Sequence, residues 1–316
     1  MKYIYYIGLF LLLLTMIACR GGKSQQNVVA NLEEQPKAQP ATVFIPALAP
    51  STMSSEQKIL YMNEHYWDKF DFADTLFLDR VDTLNMLRAY SVYAIGYVPD
   101  SLRSKSMHRL MQKASSSKRM FDYFMMLGSE VLHNPNSQLR DDELYIPVLE
   151  AAIASPLMDE YEKMPLVYDL QMAMQNRIGR VANDFSYTLA SGRSGRMSEI
   201  KSDYTMIFFS NPGCPMCRDI KEQIIQSPKL SDMISRKELS VLVVYPDADL
   251  EAWREHIEDY PRSWINAYDK GEVISRQRLY DLKAIPALYL LDAEKRVMVK
   301  DCTSVEKIEE VLLMQD

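Results

Sequence analysis

Cysteine is scarce in this chain of 316 residues, which contains only Cys19, Cys214, Cys217 and Cys302. Four cysteines in so long a chain are too few for a disulfide scaffold, so each one is judged by its position. The chain also lacks a long basic run, and its 36 Lys and Arg residues against 43 Asp and Glu residues give a formal net charge of −7. This balance argues against nucleic acid as a partner.

Two further absences narrow the class of protein. The histidines are dispersed, with no pair at the spacing of a helical metal site, so the sequence predicts no bound metal. No segment repeats at a fixed period, which excludes a solenoid. The content of 47% hydrophobic and 25% charged residues is that of a globular protein. The length predicts about two domains.

The first 18 residues have the pattern of an export signal. Lys2 precedes an almost wholly apolar run of 16 positions from Tyr3 to Ala18. That run is shorter than the roughly 20 residues of a membrane-spanning helix, which favours cleavage. The segment Met16-Ile17-Ala18-Cys19 resembles a bacterial lipobox, and the resemblance implies that Cys19 becomes the lipidated N-terminus of the mature protein. The alternative is an ordinary cleaved signal with an incidental cysteine.

Residues 19–51 are rich in Gln, Ala, Pro and Gly and show no sustained periodicity, which predicts a flexible tether. Directly after Cys19 stand Arg20, Gly21, Gly22 and Lys23. This stretch does not resemble the acidic cluster that marks Bacteroides-like lipoproteins for export to the cell surface. We therefore expect a lipid anchor in the cell envelope, with the globular part facing the periplasm.

Residues 52–178 are predicted to form a helical domain. Ser54 and Gln57 have the spacing of a capping box at the start of its first helix. The apolar spacing predicts helices over residues 55–69, 80–95, 102–114, 118–132, 142–154 and 164–178. Their aromatic and Met stripes are interpreted as core positions. The segment from Tyr66 to Asp74 resembles a helical domain of unknown function in Bacteroides-like lipoproteins, which assigns no chemistry to this half.

Residues 179–316 change to alternating strands and helices, typical of an α/β domain. Strands are predicted over residues 204–210, 239–245, 287–291 and 296–300. Helices are predicted after Cys217, over residues 250–257 and over residues 305–313. The order of these elements resembles that of thioredoxin: a strand, a Cys-x-x-Cys segment and a helix, then a second strand and helix, and finally a strand pair and a helix. The sequence therefore predicts a two-domain fold, all-α followed by thioredoxin-like.

The segment Cys214-Pro215-Met216-Cys217 carries the candidate chemistry. A cysteine at the start of a helix lies beside unsatisfied backbone N–H groups and the positive end of the macrodipole, which favour its thiolate. Cys214 is the candidate nucleophile and Cys217, one turn deeper, the candidate resolving thiol. A zinc site is a weaker alternative, since only Cys302 and His256 are left as isolated ligand candidates. A fixed, inactive disulfide stays open as a second alternative.

The segment Ala284-Ile285-Pro286-Ala287 resembles the cis-proline loop that faces the redox disulfide in thioredoxin-like proteins. Only about 5 to 6% of X–Pro bonds are cis, so this expectation rests on the resemblance. It implies that Ile285 and Pro286 contact the substrate, with the backbone of Ile285 pairing with an extended polypeptide.

From about Ala182 onward the chain resembles the membrane-anchored thiol–disulfide reductases of the kind used in cytochrome c maturation. It departs from them in several places. Gly213 stands where many relatives have Trp. Phe208 and Ile220 occupy positions where relatives have a buried carboxylate, which leaves Asp219 or another residue as a replacement proton acceptor. Cys302, at the end of the last strand, is interpreted as a buried thiol, with a third redox thiol within reach of Cys214 as the alternative.

Together these features predict a lipid-anchored periplasmic thiol–disulfide oxidoreductase that reduces or isomerises disulfides of exported proteins. The pair would need an unidentified membrane electron donor and no cofactor. The Pro-x-x-x-Thr-x-x-Cys pattern of peroxiredoxins is absent, which argues against a peroxidase. The alternative is a lipid-anchored binding or scaffold protein with a non-catalytic thioredoxin-like domain.

Overall fold

The computed structural model describes residues 42–315. The predicted signal peptide, Cys19 and most of the predicted tether lie outside the described residues. Within the described part, no helix combines the length and apolar character needed to cross a membrane. Residues 42–47, which the sequence analysis assigned to the tether, pack against the helical domain. Phe44 is buried and its ring stacks on Trp67 at a centroid distance of 5.1 Å.

The N-terminal part of the described chain is helical, as predicted. Its α-helices are α1 (Ser55–His65), α2 (Thr83–Gly96), α3 (Arg103–Ala114), α4 (Lys118–Leu132), α5 (Asp142–Ala154) and α6 (Glu160–Ala173). The bounds of α4 and α5 are those predicted, and the Ser54–Gln57 capping box is present at α1. The aromatic stripes are core: Trp67, Phe70 and Phe124 pack together in one buried cluster.

The prediction for the sixth helix was wrong at both ends. Proline at position 165 was treated as a boundary, yet α6 begins at Glu160 and contains Pro165. Asp159 and Glu162 form a capping box that starts the helix five residues before the proline. Proline fixes a backbone angle that helices use, so the cost at this position is one missing hydrogen bond and local crowding, which the cap helps to offset.

The C-terminal part is built on one mixed sheet of seven strands. The strands are β1 (Ser186–Leu189), β2 (Ser194–Arg196), β3 (Tyr204–Phe209), β4 (Leu239–Tyr245), β5 (Ile265–Tyr268), β6 (Ala287–Leu291) and β7 (Val297–Cys302). Their order across the sheet is β2-β1-β5-β4-β3-β6-β7. β3 runs parallel to β4 and antiparallel to β6, so it lies in the middle with both edges paired. Residues of β3 are accordingly buried on both faces and wholly apolar from Met206 to Phe209.

Helices cover both faces of this sheet. They are α7 (Pro215–Gln226), α8 (Pro228–Ser235), α9 (Leu250–Glu255), α10 (Val273–Arg276) and α11 (Val305–Leu313). The predicted strands at residues 239–245 and 287–291 and the last helix have the predicted bounds. Strands β1, β2 and β5 were not predicted. They are three or four residues long and only partly buried, so they lack the long apolar runs that marked the central strands.

Charged side chains join the two parts of the chain. Arg140, before α5, donates to the backbone oxygen of Asp301 at 2.7 Å and to its carboxylate at 3.2 Å. Lys300 of β7 lies 2.7 Å from the carboxylate of Asp142. It also donates to the carbonyl of Ala173, the last residue of α6, and to that of Gln175 just beyond the helix. All of these side chains are largely shielded from water, so the contacts link the helical part to the end of β7, next to Cys302.

Candidate redox site

Cys214 lies where the central strand of the sheet passes into a helix. After β3, residues 210–213 turn the chain, and Cys214 is the N-cap of α7. Its Sγ accepts a hydrogen bond from the backbone N–H of Cys217 at 3.2 Å. Pro215 occupies the first turn, where its missing N–H leaves no intrahelical bond unmade. The side chain of Cys214 is partly exposed, which gives a substrate access to the sulfur.

The backbone conformation explains why a glycine precedes the first cysteine. Gly213 has a φ of +70°, in the left-handed region that side chains other than Gly, Asn and Asp rarely adopt. A Cβ at this position would meet no atom within 4 Å, so space is available and the backbone angle is the constraint. A residue with a large side chain, such as Trp, would be strained on this backbone.

Cys217 lies behind Cys214 and is almost fully buried, with 1% of its surface exposed. Burial raises the pKa of its thiol to about 12, and a hydrogen bond with the sulfur of Cys214 acts in the same direction. Two donors oppose this shift and lower the pKa: the backbone N–H of Asn211 and the hydroxyl of Ser210. The two cysteines therefore differ strongly in access, with one sulfur facing the surface and one enclosed.

The proline loop lies beside this pair. The Ile285–Pro286 peptide bond is cis, as the sequence resemblance suggested. Ile285 is partly buried and packs against the same apolar cluster as Cys214 and Cys217. Within residues 42–315 the backbone of Ile285 forms no hydrogen bond. Cys214 and Ile285 thus both pack against the apolar cluster that contains Cys217, and Pro286 follows Ile285 through the cis bond.

A cleft with a cavity volume of about 140 Å³ opens at the two cysteines. Its other walls come from the turn before Cys214, from α7 and from the segment after α9. They include Lys221, His256, Asp259 and Tyr260. Sequence reasoning missed Lys221, Asp259 and Tyr260, and it considered His256 only as an isolated zinc-ligand candidate. Only the fold brings the segment after α9 beside α7, because β4 and β5 lie next to β3 in the sheet.

The two positions at which the resemblance led us to look for a buried carboxylate near the resolving thiol are apolar. Phe208 and Ile220 are both buried and apolar, as expected from the sequence. Asp219, the candidate replacement, points into solvent, with 67% of its side chain exposed and Arg218 as its neighbour at 3.9 Å. The polar groups that contact the Cys217 thiol are instead those of Ser210 and Asn211.

Cys302 ends β7 and is 8% exposed. Its thiol donates to the backbone oxygen of Ser304 at 3.6 Å, and burial raises its pKa to about 11. It belongs to the apolar cluster that contains Cys217, which fits a packed thiol. Among the described residues, no three His, Cys, Asp or Glu side chains are grouped as metal ligands.

This combination of sheet order, helix-capping Cys-x-x-Cys and cis-proline loop defines a thioredoxin-like protein. Two family profiles match: "Domain of unknown function (DUF5106)" over residues 18–176 and "Thioredoxin-like" over residues 202–297. The chain belongs to the thioredoxin-like proteins that carry this N-terminal domain, as the sequence resemblance indicated.

The chain is also similar to solved structures and curated proteins. A thioredoxin-like protein from Bacteroides caccae is 38% identical, with a TM-score of 0.81, over 88% of this chain and 100% of that one. The C-terminal domain of an uncharacterized protein from Bacteroides fragilis is 43% identical, with a TM-score of 0.43, over 44% of this chain and 98% of that one. Nucleoredoxin from Mus musculus is 23% identical over 35% of this chain, and the match spans only 25% of nucleoredoxin.

Proposed function

We propose that this chain is a thiol–disulfide oxidoreductase that reduces or isomerises disulfides in exported proteins through Cys214 and Cys217. The observation that carries the proposal is the arrangement of the pair. Cys214 is partly exposed at the N-terminus of α7, and Cys217 is buried one turn behind it with its backbone N–H on the Cys214 sulfur. Exchange chemistry requires one thiol that a substrate can reach and a second that it cannot.

The reaction proceeds in two displacements. The Cys214 thiolate attacks one sulfur of the substrate disulfide, forms a mixed disulfide and expels the other substrate sulfur as a thiolate. The Cys217 thiolate then attacks the Cys214 sulfur, which releases the second substrate thiolate and leaves a Cys214–Cys217 disulfide. Two electrons pass from the protein to the substrate. A thiol or dithiol donor in the membrane would return them and complete the cycle without a cofactor.

The cis-proline loop would hold the substrate during both steps. The unpaired backbone of Ile285 offers an N–H and a C=O to an extended polypeptide. Backbone pairing of this kind is largely independent of the bound sequence. This independence suits an enzyme that acts on many different exported proteins.

The proposal includes a lipid anchor at Cys19 and a periplasmic location. Its support is the lipobox resemblance of Met16-Ile17-Ala18-Cys19 and the two glycines and two basic residues that follow. A tagged fatty acid supplied to cells should label the chain and leave its Cys19→Ser variant unlabelled, with the label recovered in the membrane fraction. Equal labelling of both chains would reject the anchor while leaving the redox proposal intact.

The redox proposal is tested with the full-length protein and its Cys217→Ala variant. We expect the variant to accumulate mixed disulfides with exported proteins through Cys214, because the second displacement is removed. A Cys302→Ala variant serves as the control and should accumulate none. The reduction potential of the wild-type pair sets the direction: a value near −270 mV, that of thioredoxin, supports a reductase, whereas one near −120 mV indicates a disulfide donor.

A pair that neither equilibrates with dithiols nor traps any protein would reject the enzyme. It would favour the lipid-anchored binding protein, a function for which the exposed apolar residues of α6 offer a surface. Tyr161 and Met164 are 84% and 66% exposed on that helix.

A further inference from the structure

The second displacement poses a problem for the buried resolving thiol. In the free protein the sulfur of Cys214 lies next to Cys217, whose backbone N–H donates to it at 3.2 Å, and as a thiolate it can accept the Cys217 proton. In the mixed disulfide that sulfur is bonded to the substrate and is no longer a thiolate that can accept a proton. Phe208 and Ile220 supply no carboxylate in its place. The proton of Cys217 therefore needs another acceptor before the sulfur can attack.

Ser210 is the side chain placed to take that proton. It follows β3 directly and is 2% exposed, and its backbone N–H is fixed on the oxygen of Val244 at 3.1 Å. Its hydroxyl lowers the pKa of the Cys217 thiol, so it lies near that sulfur. On its other side it lies 2.6 Å from the phenolic oxygen of Tyr260. The Ser210 hydroxyl thus joins the buried sulfur to a second hydroxyl.

Tyr260 connects this pair to water. It is partly exposed and forms part of the wall of the cleft at the two cysteines. Its ring packs edge-on against Phe208 at a centroid distance of 6.3 Å, and the ammonium of Lys221 lies 5.7 Å from the ring centroid. These contacts fix the ring, whose hydroxyl lies 2.6 Å from that of Ser210. Tyr260 thus links the Ser210 hydroxyl to the cleft.

We propose that the Ser210 and Tyr260 hydroxyls form a relay that carries the proton of Cys217 to the cleft during the second displacement. This inference rests on the proposed oxidoreductase function. The Cys217 proton passes to the oxygen of Ser210, the Ser210 proton to the oxygen of Tyr260, and the Tyr260 proton to water. Both hydroxyls end neutral, and Ser210 then donates to the new thiolate. Ser210 is a catalytic residue because it touches the reacting sulfur, and Tyr260 is a positioning residue that acts through it.

Other titratable groups near the resolving thiol would influence its pH dependence. Those that line the same cleft are Cys214, Arg218, Lys221, His256 and Asp259. Asp247 accepts a hydrogen bond from Asn211 of that cleft, and Cys302 belongs to the same apolar cluster as Cys217. All of them except Cys302, which is alanine in every protein compared, are kept in the hydroxyl variants described next. A difference between two such variants therefore reports the hydroxyls alone.

The test uses the full-length protein in detergent, with Cys302→Ala as background, and a symmetrical aromatic disulfide whose released thiolate absorbs visible light. The first release marks attack by Cys214, and the second marks attack by Cys217. Cys214→Ser corrects for release by any other thiol, and Cys217→Ala should give the first release only. The rate of the second phase is measured across the pH range in which the protein stays folded.

We expect Ser210→Ala to slow the second phase about tenfold, because the Cys217 thiolate loses a hydrogen-bond donor. A tenfold loss equals a displacement of the rate profile by about one pH unit. Tyr260→Phe keeps the ring and should slow the second phase about threefold. The double variant should be no slower than Ser210→Ala. Ser210→Thr keeps a hydroxyl group and should therefore keep the wild-type rate of the second phase. Tyr204→Phe, at the far end of β3, should leave both phases unchanged.

A wild-type second phase in Ser210→Ala would overturn the relay. So would a Tyr260→Phe effect that persists when Ser210 is already Ala, because Tyr260 would then act independently of Ser210. A failure of the proposed function has a different signature. In that case the first release in the wild-type protein would be no greater than in Cys214→Ser.

Discussion

At the scale of single residues, the three described cysteines differ in how far the fold shields them. Cys214 is partly exposed, whereas Cys217 and Cys302 are buried and lie in the same apolar cluster. Burial disfavours the charged form of a thiol and raises the pKa of Cys217 to about 12 and of Cys302 to about 11. Because the thiolate is the reactive form, the fold selects one nucleophile from three chemically equal side chains.

Alkylation of the reduced protein should follow this order. We expect iodoacetamide near neutral pH to modify Cys214 first, with Cys217 and Cys302 more than roughly tenfold slower, since each pKa unit lowers the thiolate fraction tenfold. Peptide mass spectrometry over a time course measures the three rates. In denaturant all three should be modified at similar rates, which provides the control. Modification of Cys302 as fast as Cys214 in the folded protein would contradict the burial seen here and would favour the third redox thiol.

At the scale of elements, the central strand and the helix after it position the site. β3 is paired on both sides, and its apolar side chains are buried on both faces, so its C-terminal end is held firmly. The turn with Gly213 then places Cys214 at the N-terminus of α7. Sequence pattern located these elements because their apolar runs are long. It failed at β1, β2 and β5, which are short, and at α6, where a capping box outweighs an internal proline.

At the scale of the whole molecule, buried charges connect the helical part to the redox domain. Asp301 of β7 is the clearest case, with Arg140 as its ion-pair partner at 3.2 Å. Burial raises the pKa of the Asp301 carboxyl from 3.8 to about 7, although Arg140 acts in the opposite direction. A carboxyl with a raised pKa binds its proton more tightly in the folded chain than in the unfolded one. Its contribution to stability is therefore greatest at low pH and is lost as the pH rises toward 7 and above.

This linkage predicts the effect of removing the carboxyl. Between pH 5 and pH 7 the titration of Asp301 should lower the free energy of unfolding by roughly 2 kcal/mol. The Asp301→Asn variant should lack this decline, whatever its stability at pH 5. Urea unfolding of both proteins at several pH values measures the difference. Asp232→Asn, which removes an exposed carboxylate, is the matched control, and parallel pH profiles for wild type and Asp301→Asn would contradict the assignment.

The sequence by itself determined which elements exist and where the chemistry stands. Helical periodicity, the capping box at Ser54 and the long apolar strands are local features, and each can be read within one segment. The Cys214–Cys217 spacing and its position after a strand are local as well, and so is the lipobox resemblance at Cys19. The loop at Ile285 and Pro286 was found by resemblance, since its bond isomer is not a property of the local sequence.

Only the tertiary structure decided what surrounds the resolving thiol. Ser210 is close to Cys217 in the chain, but Tyr260 is 50 positions away from Ser210 and reaches it because β4 and β5 pack beside β3. The sequence shows that positions 208 and 220 carry no carboxylate. It does not show that the hydroxyls of Ser210 and Tyr260 lie together, because burial and long-range contacts depend on how the strands are ordered across the sheet. For the same reason Asp301 acquired a partner from the helical domain that no pattern within β7 indicated.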